Sequence, residues 1–243
     1  RFAVGSQPTG LIAADVLAPY HDVAVYDQGR SVGRKFLVAG QGGFNITTSA
    51  VDEALLTKYA PAGFLDEALA AFGPTELRAW LAEMGITTYV GSSGRVFPTK
   101  GIKPIDVLNA IRERLIDRGV RFHFEHAFVG FDDRARPTVE HAGERIAIEA
   151  EHVLFALGGA SWSVTGSTGA WTSHFEAIGV ATRPFEPSNC GVHIAWPEEL
   201  IAAHAGKALK NIRVTVGERS AIGEATITRH GLEGNAIYPV VPA

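Results

Sequence analysis

The chain has 243 residues, 46% hydrophobic and 20% charged, enough for one large domain or two modest ones with a sizeable core. Its 22 lysines and arginines against 26 aspartates and glutamates give a net charge of −4, which excludes a generally basic surface for nucleic acid or anionic lipid, though not a local patch. Its one cysteine, Cys190, excludes a disulfide framework or a thiolate zinc site, and no apolar run approaches the ~18 residues of a membrane span.

Phe2-Ala3-Val4 reads as the stub of a buried parallel strand. A glycine-containing turn, Gly5 to Gly10, leads into a short helix over Leu11–Ala18 that Pro19 stops, and Val23–Tyr26 forms a second strand ending at Asp27. Strand, turn, helix and strand make a βαβ unit and imply a parallel sheet. Glycines crowd the stretch from Gly29 to Asn45, which is either a flexible loop or a backbone that approaches a ligand closely. Helical patterns follow at Phe64–Phe72, Thr75–Met84 and Pro104–Arg118, the last two closed by Gly85 and Gly119. Val120–His123 and then Ala127–Phe131, Thr138–His141 and Ile146–Ile148 read as strands, the last three as a small antiparallel meander. Val153–Leu157 is a fully apolar strand that runs into Gly158-Gly159, and after Arg183 the pattern turns to irregular strands broken by proline. The expected boundary lies there, with a cofactor domain over 1–183 and the beginning of a β-rich domain over 184–243. Arg1 sits inside an apolar run and Ile237–Ala243 closes on another, so both ends read as cut.

The first turn, Gly5-Ser6-Gln7-Pro8-Thr9-Gly10, sits where a dinucleotide fold carries G-x-G-x-x-G. The first glycine of that motif makes the turn, the second admits the pyrophosphate and the third lets helix and strand pack. Gly5 and Gly10 occupy the outer positions, while Gln7 stands at the middle one, where a side chain crowds a phosphate. Asp27 lies 22 residues past Gly5 at a strand end, where a carboxylate accepts the hydroxyls of an adenosine ribose. The competing reading is a strand-end turn residue. Arg34 and Lys35 stand between glycines just beyond, placed either to neutralise a pyrophosphate or as a solvated basic turn.

At these residues the chain resembles the YhiN-like or BaiN-like flavoproteins, also described as aminoacetone-oxidase-like FAD-binding enzymes. The resemblance rests on separated blocks in order: Gly5–Leu11, Gly33-Arg34-Lys35 with Gly40–Thr47, Gly94–Pro98, Leu157–Trp162 leading to Gly166–Gly169, Asn189-Cys190-Gly191, and Gly231–Gly234. It implies an α/β, Rossmann-like FAD-binding domain with a parallel sheet and a small antiparallel meander, followed by the start of an inserted β-rich domain. It also implies a pyrophosphate turn at Gly5, Gln7, Pro8, Thr9 and Gly10, a ribose contact at Asp27, and Arg34 and Lys35 beside the cofactor. Gly42, Gly43 and Asn45 would lie near the flavin, and Leu157, Gly158 and Gly159 would return under it. Gln7 departs from the family, which has glycine there, and family members are longer, with a further glycine-rich loop at the flavin.

Other chemistries find no pattern. No H-E-x-x-H, G-x-S-x-G or G-x-x-x-x-G-K-[ST] occurs, and His123 and His126 read as strand-end residues rather than metal ligands. Trp162 and Trp171 flank the Gly166–Gly169 loop and read first as core, otherwise as the border of a flat cofactor, and Cys190 reads as a small residue at a domain junction ahead of one near the flavin. The expectation is an FAD-dependent oxidoreductase working on a small molecule in the cytoplasm, with NAD(P)H among the candidate electron donors and no nucleic-acid or membrane partner. No residue stands out as catalytic, since flavin carries the redox chemistry. The alternatives are an NAD(P)-dependent Rossmann dehydrogenase, which does not need the Gly33–Asn45 block, and a degenerate, non-catalytic fragment.

Overall fold

The computed structural model describes residues 1–5, 7–33, 36–37, 44–59, 61–92, 94–160, 163, 166, 168–186 and 189–241. In chain order, β1 (Phe2–Gly5), α1 (Pro8–Leu17) and β2 (Val23–Tyr26) form the opening βαβ unit. The segment that follows carries β3 (Thr47–Thr48), α2 (Asp52–Leu56), α3 (Asp66–Ala71), α4 (Pro74–Glu83), β4 (Thr88–Val90), β5 (Arg95–Pro98) and α5 (Pro104–Asp117). Then come β6 (Arg121–His123), β7 (Ala127–Phe131), β8 (Pro137–His141), β9 (Glu144–Ala147), β10 (His152–Leu154) and α6 (Thr172–Glu176).

The parallel sheet has the order β10-β1-β2-β6, with Ala3 opposite Ala24 and Val153, and Val25 opposite Phe122. Its strands alternate between two faces, as a period of two requires. Val23 and Val25 join Leu11 and Ala14 of α1, Trp80 and Leu81 of α4 and the buried stripe Val107, Leu108, Ile111 and Leu115 of α5. That i, i+1, i+4, i+8 spacing is one face of a helix, and each such side chain contributes about 1.5–3 kcal/mol on burial. On the opposite face Ala3, Tyr26 and Val153 meet Val139 and Ile148 from the meander β7-β8-β9. Helices thus cover one side of the sheet and the meander covers the other.

Helix starts follow local chemistry. Proline opens α1, α4 and α5, where its missing N–H and fixed φ cost nothing. The acids three residues after the caps accept from the cap backbone: Gly73 N–H donates to Glu76 Oε2 at 2.9 Å and Lys103 N–H to Asp106 Oδ2 at 2.7 Å. Pro8 at the first helical position is why α1 begins ahead of the apolar periodicity at Leu11.

Three expectations need correction. The strand expected over Val153–Leu157 ends at Leu154, because Phe155 leaves the sheet for an aromatic cluster with Phe128, Phe131 and Phe175. A second small sheet, β3-β5-β4, and the short helix α2 carry too little periodicity to be read from the sequence. Beyond Arg183 the chain is more regular than its prolines suggest.

The chain divides into two compact units, Arg1–Thr182 and Arg183–Ala243. The second contains β11 (Val192–His193), α7 (Glu198–His204), β12 (Ala208–Val216), β13 (Arg219–Thr228) and β14 (Gly231–Glu233), with an antiparallel sheet ordered β11-β14-β13-β12. β12 and β13 form a hairpin closed by Gly217-Glu218, with Val216 opposite Arg219 and Gly217 at φ +57°. Among the described residues no helix is long and apolar enough to cross a membrane.

Candidate functional site

From β1 the chain crosses by α1 to β2 on one side, whereas β10 joins β1 on the other. The strand order therefore reverses at β1, and a crevice opens beyond the carboxyl ends of β1 and β10, the place where open α/β sheets bind ligands. α1 starts in this crevice. Its N-cap, Gln7, is extended (φ −66°, ψ 162°) and makes no side-chain cap, leaving the first-turn N–H groups to another acceptor.

Two glycines set the local packing. A Cβ on Gly10 would stand 1.7 Å from the Gly5 carbonyl oxygen, so only glycine lets α1 lie this close to β1. A Cβ on Gly5 would come within 3.0 Å of the Ala156 backbone nitrogen and oxygen, where the chain leaves β10.

A cavity of about 190 Å³ occupies the crevice. Gly5, Gln7, Asp27 and Leu157 line it, and so do His126, Phe128, Trp171 and His174. Asp27 is held by its neighbours. Its Oδ1 accepts the Gly29 N–H at 2.6 Å, its own N–H donates to the His123 carbonyl at 2.9 Å, and its carbonyl accepts the His126 N–H at 2.9 Å. Asp27 is thus a strand-end turn residue that also lines the cavity. Burial pushes the neighbouring Tyr26 phenol up, against an opposing pull from Arg121, so the phenol is a neutral donor there. Burial first, and then the neighbouring His126 and the Arg121 guanidinium, hold His123 below the usual histidine value. Lysine and arginine are absent from the lining among the described residues, so its formal negative charge comes from Asp27.

The protein-family model described as HI0933-like protein Rossmann domain matches residues 2–231. The chain belongs to this family. It is 23% identical over 243 residues to a ribosomal RNA dihydrouridine synthase of Haemophilus influenzae, covering 98% of this chain and 59% of that protein. It is 24% identical over 246 residues to a 3-dehydro-bile acid delta(4,6)-reductase of Clostridium scindens, covering 98% of this chain and 58% of that protein. The chain thus spans less than three fifths of the length of these curated relatives. Among solved structures, a 3-ketosteroid-delta4-(5alpha)-dehydrogenase from Rhodococcus jostii RHA1 in complex with 4-androstene-3,17-dione superposes with a TM-score of 0.50 at 16% identity. The match covers 65% of this chain and 45% of that one, and it shows the shared Rossmann-like fold.

Within this family fold, the residues singled out in sequence fall into four groups. Gly5, Gln7, Asp27 and Leu157 meet at the cavity, with Pro8, Thr9 and Gly10 at the start of the helix beside it. Gly158 and Gly159 follow Leu157 at the edge, where the Gly158 carbonyl accepts the Trp171 indole N–H at 2.9 Å. Asn45 is exposed next to β3 and is not among the cavity-lining residues. Arg34, Lys35, Gly42, Gly43 and Trp162 lie outside the described residues.

The cavity also contains side chains that sequence reasoning did not select. His126 and Phe128 come from the β6–β7 turn and the meander, Trp171 and His174 from α6 and its approach. Their spacing follows no motif, and the folding of the meander over the sheet, with α6 set against Phe128 of β7, brings them to the strand ends. His123 is, as expected, the last residue of its strand, but His126 is a wall of the cavity.

These residues suit the nucleotide part of FAD. The uncapped first turn of α1 is an anion-facing donor set, Gly5 and Gly10 keep it close to the sheet, and Asp27 offers a carboxylate at the adjoining strand end. The cavity is smaller than the ~300–1,000 Å³ of small-molecule clefts, and Gln7 lines it where the motif has glycine.

Proposed function

We propose that this protein binds FAD across the carboxyl ends of β1 and β2 and works as a flavin-dependent oxidoreductase on a small molecule. The observation that carries this reading is the cavity at the sheet's switch point, where Gly5, Gln7 and Asp27 of the opening βαβ unit meet Leu157 from near the far end of the compact unit Arg1–Thr182. In this reading the first-turn N–H groups of α1 hold the pyrophosphate and Asp27 accepts from the ribose hydroxyls. The Gly29 N–H on Oδ1 fixes the plane of that carboxylate before any ligand arrives. When bound, the flavin supplies the hydride and electron chemistry, while the chain binds, orients and excludes water. Arg34 and Lys35 belong to the same proposal as cations beside the pyrophosphate, and NAD(P)H is proposed as the electron donor. The curated relatives carry names that speak of ribosomal RNA and of a bile acid. These names differ in the size of what they act on, so the proposal is fixed at the reducible bond, with a small molecule as its carrier.

The purified protein tests this directly. A yellow protein whose flavin spectrum is released on denaturation, and which bleaches when NADPH or NADH is added without oxygen, is the expected result. A colourless protein that binds NADH tightly overturns it in favour of a nicotinamide-dependent dehydrogenase. A colourless protein that binds neither favours a second reading, a family fold that no longer holds its cofactor, for which Gln7 at the phosphate position is the specific observation.

A further inference from the structure

The geometry points to His126 as the residue that reads the base of the bound nucleotide, selecting a 6-amino purine over a 6-oxo purine. This rests on the nucleotide reading above and extends it along the sheet. The strands run β1, β2, β6 in space, and a nucleotide runs phosphate, ribose, base. With the phosphates at the β1–α1 turn and the ribose at Asp27 after β2, the base arrives at the turn after β6, where His126 lines the cavity.

His126 is built into that place. Its backbone N–H donates to the Asp27 carbonyl at 2.9 Å, which fixes the distance between the ribose and base positions. The turn is pinned twice more, by the Glu125 N–H on the Gly29 carbonyl at 2.9 Å and by the Arg30–Glu125 ion pair at 2.9 Å. Glu125 sits at φ +58°, a left-handed conformation that a glutamate keeps only where its surroundings impose it. The imidazole is also held as a ring. It stacks on His141 with centroids 4.1 Å apart and planes 9° apart, and meets Tyr26 and His123 edge-on.

The hydrogen bonds fix its chemistry. Nδ1 lies 2.5 Å from the Phe124 carbonyl, which can only accept, so this contact selects the tautomer with its proton on Nδ1. Nε2 is then a bare acceptor. An acceptor fixed there pairs with the exocyclic amine of adenine and faces the carbonyl of hypoxanthine lone pair to lone pair. Phe128 adds an apolar aromatic surface to the same wall.

Calorimetric titration of the 243-residue chain with ADP and with IDP (inosine diphosphate) tests this, with thermal unfolding run on each variant to confirm that it is folded. The wild type is expected to bind ADP about tenfold more tightly than IDP, the effect of one hydrogen bond made or opposed. His126→Phe, which keeps a ring in the stack, is expected to bind the two alike. His126→Gln, which keeps an acceptor, is expected to retain part of the preference. Equal binding of ADP and IDP by the wild type, or an undiminished preference in a folded His126→Phe protein, overturns the assignment of His126 and leaves the nucleotide reading standing. Binding of neither ADP nor FAD overturns both.

Discussion

Gln7 and Gly10 show how single side chains decide the crevice. Gln7→Gly removes the group that stands at the phosphate position, and freeing one ordered side chain is worth about 0.5–1.5 kcal/mol. FAD or ADP affinity is therefore expected to rise two- to tenfold, measured by titration, and an unchanged affinity would show that Gln7 does not crowd the ligand. Gly10→Ala acts on the fold instead. Its Cβ would overlap the Gly5 carbonyl oxygen at 1.7 Å, so α1 must move off β1. Overpacking of this kind costs roughly 1–3 kcal/mol, which a lower urea midpoint would report. The glycine pattern made Gly10 legible in the sequence, because the requirement is local. Nothing local marked His126, whose place depends on a meander strand that follows it.

At the scale of elements, one buried carboxylate joins three helices. Asp15 of α1 is 3% exposed. Its Oδ2 accepts the Trp80 indole N–H of α4 at 2.7 Å, and its Oδ1 pairs with Arg114 of α5 at 2.9 Å and with Arg118 just beyond at 3.0 Å. Arg114 also reaches Glu83 at 2.8 Å. Burial works against the Arg114 charge, but its hydrogen bonds to Asp15 and Glu83 prevail and hold the guanidinium above its usual range. Asp15→Ala leaves the Trp80 indole N–H without its acceptor and Arg114 with Glu83 alone, and a loss of about 3 kcal/mol is expected in chemical denaturation. Apolar periodicity gave α1 its buried face, yet it could not distinguish a buried aspartate from a solvated one.

The end of β6 carries a pH dependence. His123 stacks on Tyr26 at 4.6 Å, beside His126 and Arg121, and its pKa in the fold is held below the ordinary 6.5. The unfolded chain therefore takes up the proton first as pH falls. The stability His123 contributes is complete above pH 6.5 and is lost as pH drops from there through the lowered value. Urea midpoints measured from pH 7.5 to pH 5 should decline, and His123→Phe should flatten that part of the decline. An identical profile in the variant would remove His123 as its source.

On the scale of the molecule, the cavity lies wholly within the unit Arg1–Thr182. A ligand that binds only the folded state at a hundred times its Kd adds about 2.7 kcal/mol. For a unit of this size that raises Tm by roughly 5–10 °C. ADP at saturation should produce such a shift in the unfolding transition of this unit, followed by calorimetry, and a transition that does not move would count against the crevice as a nucleotide site. The long β12–β13 hairpin of the other unit was not legible as such. β12 is mostly exposed, and a register shift between Leu209 and Ile212 with Asn211 at φ +53° breaks its alternation. The Gly217 turn was the usable signal.

What the sequence determined by itself was whatever is encoded locally: the α/β class, the βαβ start, the helix limits at Pro74, Pro104, Gly85 and Gly119, the meander, and an acid at the end of the second strand. These follow from periodicity and turn chemistry within a few residues. Only the tertiary structure decided the strand order β10-β1-β2-β6, the pairing of Asp15 with an arginine 99 residues away, and the meeting of Asp27 with His126 at one cavity. Each of these depends on which distant segments bury surface against one another, and that free energy is shared over the whole core rather than written at any one position.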